Sequence, residues 1–388
     1  YDLTSGTFNT VTDSYYPGIS DGTSNAPNFV ECLNSYFLVN EQNTDKYYWS
    51  TPKYIAQAFD ADQPSIKNYW YGLYYAEAKI RPGHIVALAK MAQYLLVFTN
   101  TTIEVHEDTA LETNTWQRVS STFMNVGTTA PASVSTYQNY VFWLGNDING
   151  TVGIFMAGMD FSPIKISERG IEQIIQSFDD LTDCIATSFA MDGHVFTAFY
   201  FPTADRTFVY DLVTQSWHER TYLDPNTGID HAWRMSYTTY NWSRNIFQDR
   251  LSSAIYYLDS DYFKNDNPDG SGVNYINVDF TTPLEFSNGH LLRYCGAQVV
   301  CQQGVGLNTN EADGTGANPV CRLSWSNDAG STFSNEVAVA MGAIGAYSQR
   351  TRRVNLSAGR NRQFRIRCTA PVRRVFSALI LDVMEYAR

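Results

Sequence analysis

The chain has 388 residues and a formal net charge of −12, with 14% aromatic and 17% charged residues. That acidity excludes a surface that grips nucleic acid through its phosphates, because counterion release needs clustered Lys and Arg. The length admits two or three domains or one large β-architecture, and abundant Tyr and Phe with few charges suit twisted antiparallel sheet. No apolar run of about eighteen residues predicts a membrane span, and no basic segment ahead of an apolar stretch predicts a signal peptide. The first residue is Tyr1 instead of Met, so the native start, with any targeting signal or docking arm, is expected upstream.

In chain order, strands dominate. A strand is predicted over 95–99. Thr102-Ile-Glu-Val-His106 is followed by a polar turn and Thr115-Trp116-Gln-Arg118. A hundred or so residues on, Thr207-Phe-Val-Tyr-Asp211 is followed by a turn and Ser216-Trp217-His-Glu-Arg220. Both units predict half of a propeller blade with the Trp wedged between neighbouring blades, which makes Trp116 and Trp217 candidates for equivalent buried positions. Further strands fit 141–144, 152–156, 195–201 and 255–258, at the roughly 40–50-residue spacing of a propeller repeat, although the repeats are too degenerate to count. One helix is predicted over 167–178, with Ser167 as N-cap and Ile171, Ile174, Ile175 and Phe178 on one face.

The turn-rich segment 259–272 is the best internal boundary, giving a propeller-like domain over 1–265 and a C-terminal β domain over 273–388. Strands are predicted there at 275–280, 296–302, 320–325, 336–340, 352–356, 363–369 and 376–383. They form a β-sandwich-like domain or closing blades. Residues 303–319 are expected to form an exposed flexible loop. The fold class is therefore all-β, a β-propeller-like core with an additional C-terminal antiparallel β domain.

Candidate chemistry is sparse. Glu104 and His106 share a strand face, with Glu107 opposite, and a turn-exposed polar patch is the simpler reading than a metal site. Asp259, Asp261, Asp266 and Asp269 lack the ligand order of a calcium loop and suit a solvated turn. His194 and His218 lie near Asp192 and Glu219, but no nucleophile motif accompanies them. The six cysteines (Cys32, Cys184, Cys295, Cys301, Cys321, Cys368) show no metal spacing; free buried thiols are expected, with Cys295 and Cys301 able to share one strand face. No cofactor or metal is called for.

The most informative segment is Ser326-x-Asp328-x-Gly330-x-Thr332-Phe333. This is an Asp-box, a β-hairpin tied by its own side chains: Asp328 accepts backbone N–H bonds, Gly330 allows positive φ, and Phe333 is expected to plug the hairpin into a core. After it come Gly342-x-x-Gly345-x-Tyr347, an Arg-rich run containing Arg350, Arg352, Arg353, Arg360, Arg362, Arg365 and Arg367, and Ala370-Pro371-Val372. Arg373 and Arg374 extend the run. Upstream stand Val141-Phe-Trp-Leu-Gly145-Asn-Asp-Ile-Asn-Gly150, Ile166-Ser167 with Ile171-Glu172, Asp192-Gly193-His194, Phe201-Pro202-Thr203, Arg206-Thr-Phe-Val-Tyr-Asp211 and Trp217-His-Glu-Arg220.

Taken in this order, these motifs resemble the phage packaged-DNA stabilisation family, tail hub or nozzle proteins of short-tailed bacteriophages. The resemblance runs from about residue 85 to the C-terminus, with Lys165 where the family usually has Arg. It implies a non-enzymatic virion protein of the tail, assembled in the host cytoplasm as a ring of six. The ring would join the portal–adaptor complex above and carry the tail needle or plug below, with a tailspike or fibre as a further neighbour. Genomic DNA would pass through its lumen without specific binding. Arg350, Arg352, Arg353, Arg365 and Arg367 are candidates for docking an acidic partner or neighbouring subunit, against the simpler reading of a solvated strand face. Two alternatives remain open: a receptor-binding tail adhesin, and a sialidase-like glycan hydrolase, which would need arginines and a Tyr–Glu pair converging from several blades.

Overall fold

The computed structural model describes residues 16–18, 26–52, 70–111, 114–146, 150–224, 226–267, 272–307 and 316–385. The chain divides into two compact units, Tyr1–Thr221 with His231–Leu258, and Tyr222–Asp230 with Asp259–Arg388.

Among the described residues, the first unit contains four four-stranded antiparallel meanders and one three-stranded sheet. The meanders are Val30–Leu33, Tyr36–Asn40, Lys46–Ser50 and Trp70–Glu77 (blade 1), and Ile85–Met91, Tyr94–Thr99, Ile103–Asp108 and Trp116–Met124 (blade 2). Blade 3 is Ser135–Tyr137, Tyr140–Asn146, Val152–Ala157 and Ile164–Lys165, and blade 4 is Ile185–Met191, His194–Phe201, Arg206–Asp211 and Ser216–Glu219. The three-stranded blade 5 is Met235–Asn241, Arg244–Asp249 and Ile255–Tyr257. The first strand of each sheet lies against the first strand of the next, the arrangement of a β-propeller.

Period-two alternation fixes which face each blade presents to which neighbour. Leu88, Leu95 and Val97 of blade 2 pack with Leu38, Tyr47 and Trp49 of blade 1. Ala89, Leu96, Phe98, Ile103 and Val105 point the other way, against Val141, Trp143 and Phe155 of blade 3. Phe142, Leu144 and Ile154 meet Phe199, Phe208 and Tyr210 of blade 4, whose other face joins blade 5 through Phe189, Val209 and Met235. Turn chemistry supports the register: Asp192 and Gly193 have φ of 53° and 81°, the type I′ pattern, and join strands in which Met191 faces His194.

Trp116 and Trp217 both stand on the outer strand of their blades and both face the preceding blade. Trp116 is fully buried opposite Asp108, edge-on to Tyr36 of blade 1. Trp217 lies opposite Tyr210, is only half-buried, and donates its indole N–H to the carbonyl of Ile166 at 2.8 Å. The expectation of two buried equivalents is thus corrected: only Trp116 is buried, and the two stand opposite different places on the neighbouring strand, Asp108 at its last residue and Tyr210 at its last but one.

The helix is shorter than the sequence pattern suggests, Arg169–Gln176, with Glu168 in the N-cap position. Ser167 does not cap it. Its hydroxyl accepts from the amide of Ile154 at 3.1 Å and donates to Glu172 at 2.8 Å, tying helix to strand in place of starting the helix. Lys165 completes the tie, 2.8 Å from Glu172. Partial burial raises the Glu172 pKa, but the Lys165 ammonium and Ser167 hydroxyl outweigh it and hold the carboxyl below its ordinary value.

The second unit is a β-sandwich. One sheet runs Val278–Thr281, Asn361–Cys368, Val320–Ser326 and Val337–Ala340, with Glu285–Phe286 also on Asn361–Cys368. The other has Leu292–Cys301 at its centre, Phe376–Glu385 on one side, and Arg352–Val354 with Ala358–Gly359 on the other. Tyr294, Ala297 and Val299 from one sheet meet Leu323, Phe364 and Ile366 from the other in a shared core. Cys301, Cys321 and Cys368 join it as free thiols, and burial with its two thiol neighbours pushes Cys321 up to about 12.

Four expectations differ here. Cys295 and Cys301 do not share a face, because a bulge between Tyr294 and Gly296 breaks the alternation and turns Cys295 out of the core. Cys32 is exposed, not buried. Part of the segment taken as a bare turn forms a hairpin, Lys264–Asp266 paired with Val273–Tyr275. The ends of the 303–319 segment are packed, with Gly304 and Gly306 donating to the carbonyls of Met341 and Gly342. Added carbon at Gly306 would meet the Ala317 carbonyl at 2.4 Å, so this Gly is required by close approach. Residues 308–315 lie outside the described residues.

Candidate functional site

The Asp-box turn joins strands Val320–Ser326 and Val337–Ala340. Ser326 Oγ accepts from the amides of Asp328 (3.2 Å) and Gly330 (2.9 Å) and donates to Asp328 Oδ1 at 2.5 Å. Asp328 accepts from the Thr332 amide at 2.9 Å and the Thr332 hydroxyl at 2.5 Å. The Ser326 and Thr332 hydroxyls, with the Thr332 amide, lower the Asp328 pKa to about 2. Gly330 has φ of 91°, which a side chain would strain. Both carboxylate oxygens are thus engaged within the turn. Phe333 does not enter the core; it is half-buried beneath the guanidinium of Arg365, 5.5 Å from the ring centre.

The C-terminal arginines are largely spent inside the sandwich. Arg365 grips Asp279 with two parallel bonds, Nε at 2.8 Å and Nη2 at 2.5 Å, and Arg367 bridges Asp279 and Glu336 at 2.9 Å each. Arg322 adds a longer contact to Glu336 at 3.4 Å. Partial burial raises the Asp279 pKa, but Arg365 and Arg367 prevail and hold it below the usual carboxylate range. Arg352 crosses over Gly296 to reach Asp382 at 3.1 Å; a side chain at 296 would meet its guanidinium at 2.9 Å. Arg362 is wholly buried, 4.2 Å above the Tyr294 ring, with its N–H groups donating to Asn327 Oδ1 and to the carbonyls of Leu356 and Ala358. Of the five docking candidates, Arg350 and Arg353 are the exposed ones with no charged partner among the described residues. Sequence pattern identified the arginine face, but not its partners, because Asp279 and Glu336 lie far away along the chain.

The sequence reading missed a buried polar network between blades 1 and 2. Glu104 and His106 were expected at an exposed turn, yet they are 1% and 2% exposed. His106 Nδ1 lies 2.8 Å from the Tyr47 hydroxyl, His106 Nε2 lies 3.3 Å from Glu104, and the other Glu104 oxygen accepts from the Ile80 amide at 2.7 Å. A neutral imidazole with its proton on Nε2 satisfies every group, with Tyr47 donating to Nδ1. Burial and the nearby Glu104 charge raise the Tyr47 pKa well above its ordinary value. The face assignment from sequence was sound; exposure was misjudged because blade 1 covers that face.

The other candidates assemble no reaction centre. His194 Nδ1 lies 2.7 Å from Asp211, but the Thr214 hydroxyl donates to Asp211 and not to the imidazole, so the order of a nucleophile relay is absent. His218 Nε2 accepts a hydrogen bond from Arg220 Nε at 3.2 Å. Arg220 itself packs over Trp233, Phe196 and Phe189, joining blade 4 to blade 5. Asp261 donates its amide to Asp259 at 3.0 Å, while the Asp266 side chain and Asp269 lie outside the described residues. No metal-holding group of His, Cys, Asp and Glu occurs among the described residues. No helix among them is long and apolar enough to cross a membrane.

A propeller followed by a sandwich, with the Asp-box and the arginine ladder each bonded to neighbouring side chains, defines a two-unit all-β protein. Residues 34–263 match the family described as bacteriophage P22 Gp10, beta-propeller, and residues 277–384 match bacteriophage P22 Gp10, beta-sandwich. The chain belongs to this packaged-DNA stabilisation family and is a structural protein of the phage particle. No curated protein matches it. Similar solved structures include the AfRom2 CNH domain, at 9% identity over 68% of this chain and 74% of that one, with a TM-score of 0.33. Human WBSCR16 matches at 14% identity over 47% and 46%, with a TM-score of 0.25. The extracellular domain of the putative one-component system BT4673 from B. thetaiotaomicron matches at 8% over 64% and 34%, with a TM-score of 0.31. These likenesses carry no functional argument.

Proposed function

We propose that the chain is the tail hub or nozzle of a short-tailed phage. Six copies form a ring below the portal–adaptor complex, retain the packaged genome, and line the channel through which it leaves. The family match over both domains carries this reading. Each subunit makes the same head-to-tail contact with the next, which closes a ring without leaving an open surface. The net charge of −12 supports free passage of DNA, since an acidic wall repels phosphate and avoids counterion-release sticking. The needle or plug would sit below, with a tailspike or fibre as a further neighbour. Arg350 and Arg353, exposed, are the residues of the basic face we assign to docking. We assign no catalytic role, no cofactor and no metal: Asp328, the residue that invites a glycan-hydrolase reading, is engaged on both oxygens by its own turn.

The test is genome retention. Phage carrying a disrupted copy of this gene should fill heads and then lose their DNA, and supplying the protein should restore stable particles. Full, stable but non-adsorbing particles would instead support the adhesin reading.

A further inference from the structure

We draw no further inference here: the strongest candidate, the exposed aromatic side chains of blade 5 (Tyr240, Trp242 and Tyr257), carries nothing, because nothing in the structure shows what covers them.

Discussion

At the residue scale, the polar side chains of the candidate site bond to neighbouring groups of the protein itself. Asp328 is the clearest case, and its titration has a definite sign. Its folded pKa, about 2, lies below the ordinary carboxylate value of 3.8, so its contribution to stability is present above pH about 4 and is lost as pH falls through about 2. The protection of the Thr332 amide, measured against the intrinsic exchange rate at each pH, should therefore fall over that window, and Asp328→Asn should abolish the dependence. A carboxyl that titrates near 4 by NMR would contradict the tie. The Tyr47–His106–Glu104 network gives a second prediction. Tyr47→Phe removes the donor to a buried nitrogen and should cost about 1–3 kcal/mol in denaturant unfolding of the propeller. An unchanged midpoint would show that water replaces the hydroxyl. The sequence revealed that Glu104 and His106 share a face, but burial depends on Tyr47, 59 residues away, and local pattern carries no such information.

At the scale of elements, most strands were legible because alternation and turn chemistry agreed. The Trp143-Leu-Gly145 and Asp192-Gly193-His194 motifs fall on strands and turns where they were expected, and the Gly342 to Tyr347 segment closes on Gly304 and Gly306. Failures came from tertiary context. Ser167 looked like a helix cap, yet the amide of Ile154 had the better claim on it. The Cys295 bulge left no mark in the residue pattern. The two tryptophans should separate experimentally: Trp116→Ala empties a fully buried site and should cost roughly 3–5 kcal/mol, whereas half-buried Trp217→Ala should cost less. Equal costs would deny the difference in burial. In the sandwich, Asp279→Ala strips the shared partner from Arg365 and Arg367 and should lower stability by only about 1 kcal/mol, since solvent screens these half-exposed pairs. Reversing Arg365 and Arg367 would thus disturb folding and docking together, which makes them poor probes of assembly.

For the whole molecule, composition and motif order pointed to a β-rich phage structural protein, and the family match agrees over both domains. Which surfaces meet partners was not legible, because an arginine paired inside the sandwich and one left exposed look alike in sequence. Arg350 and Arg353 can be tested without touching the internal ladder. Their double reversal to Glu should leave the isolated chain folded and reduce its incorporation into tails, scored by DNA retention. Normal retention would make them solvated residues. The central claim is met most directly by a cryo-EM reconstruction of the virion tail. The account predicts density for this propeller and sandwich in six copies around the axis, directly below the portal–adaptor complex and enclosing the DNA channel. The same fold found off the axis, at the tips of tail appendages or in another symmetry, would contradict it.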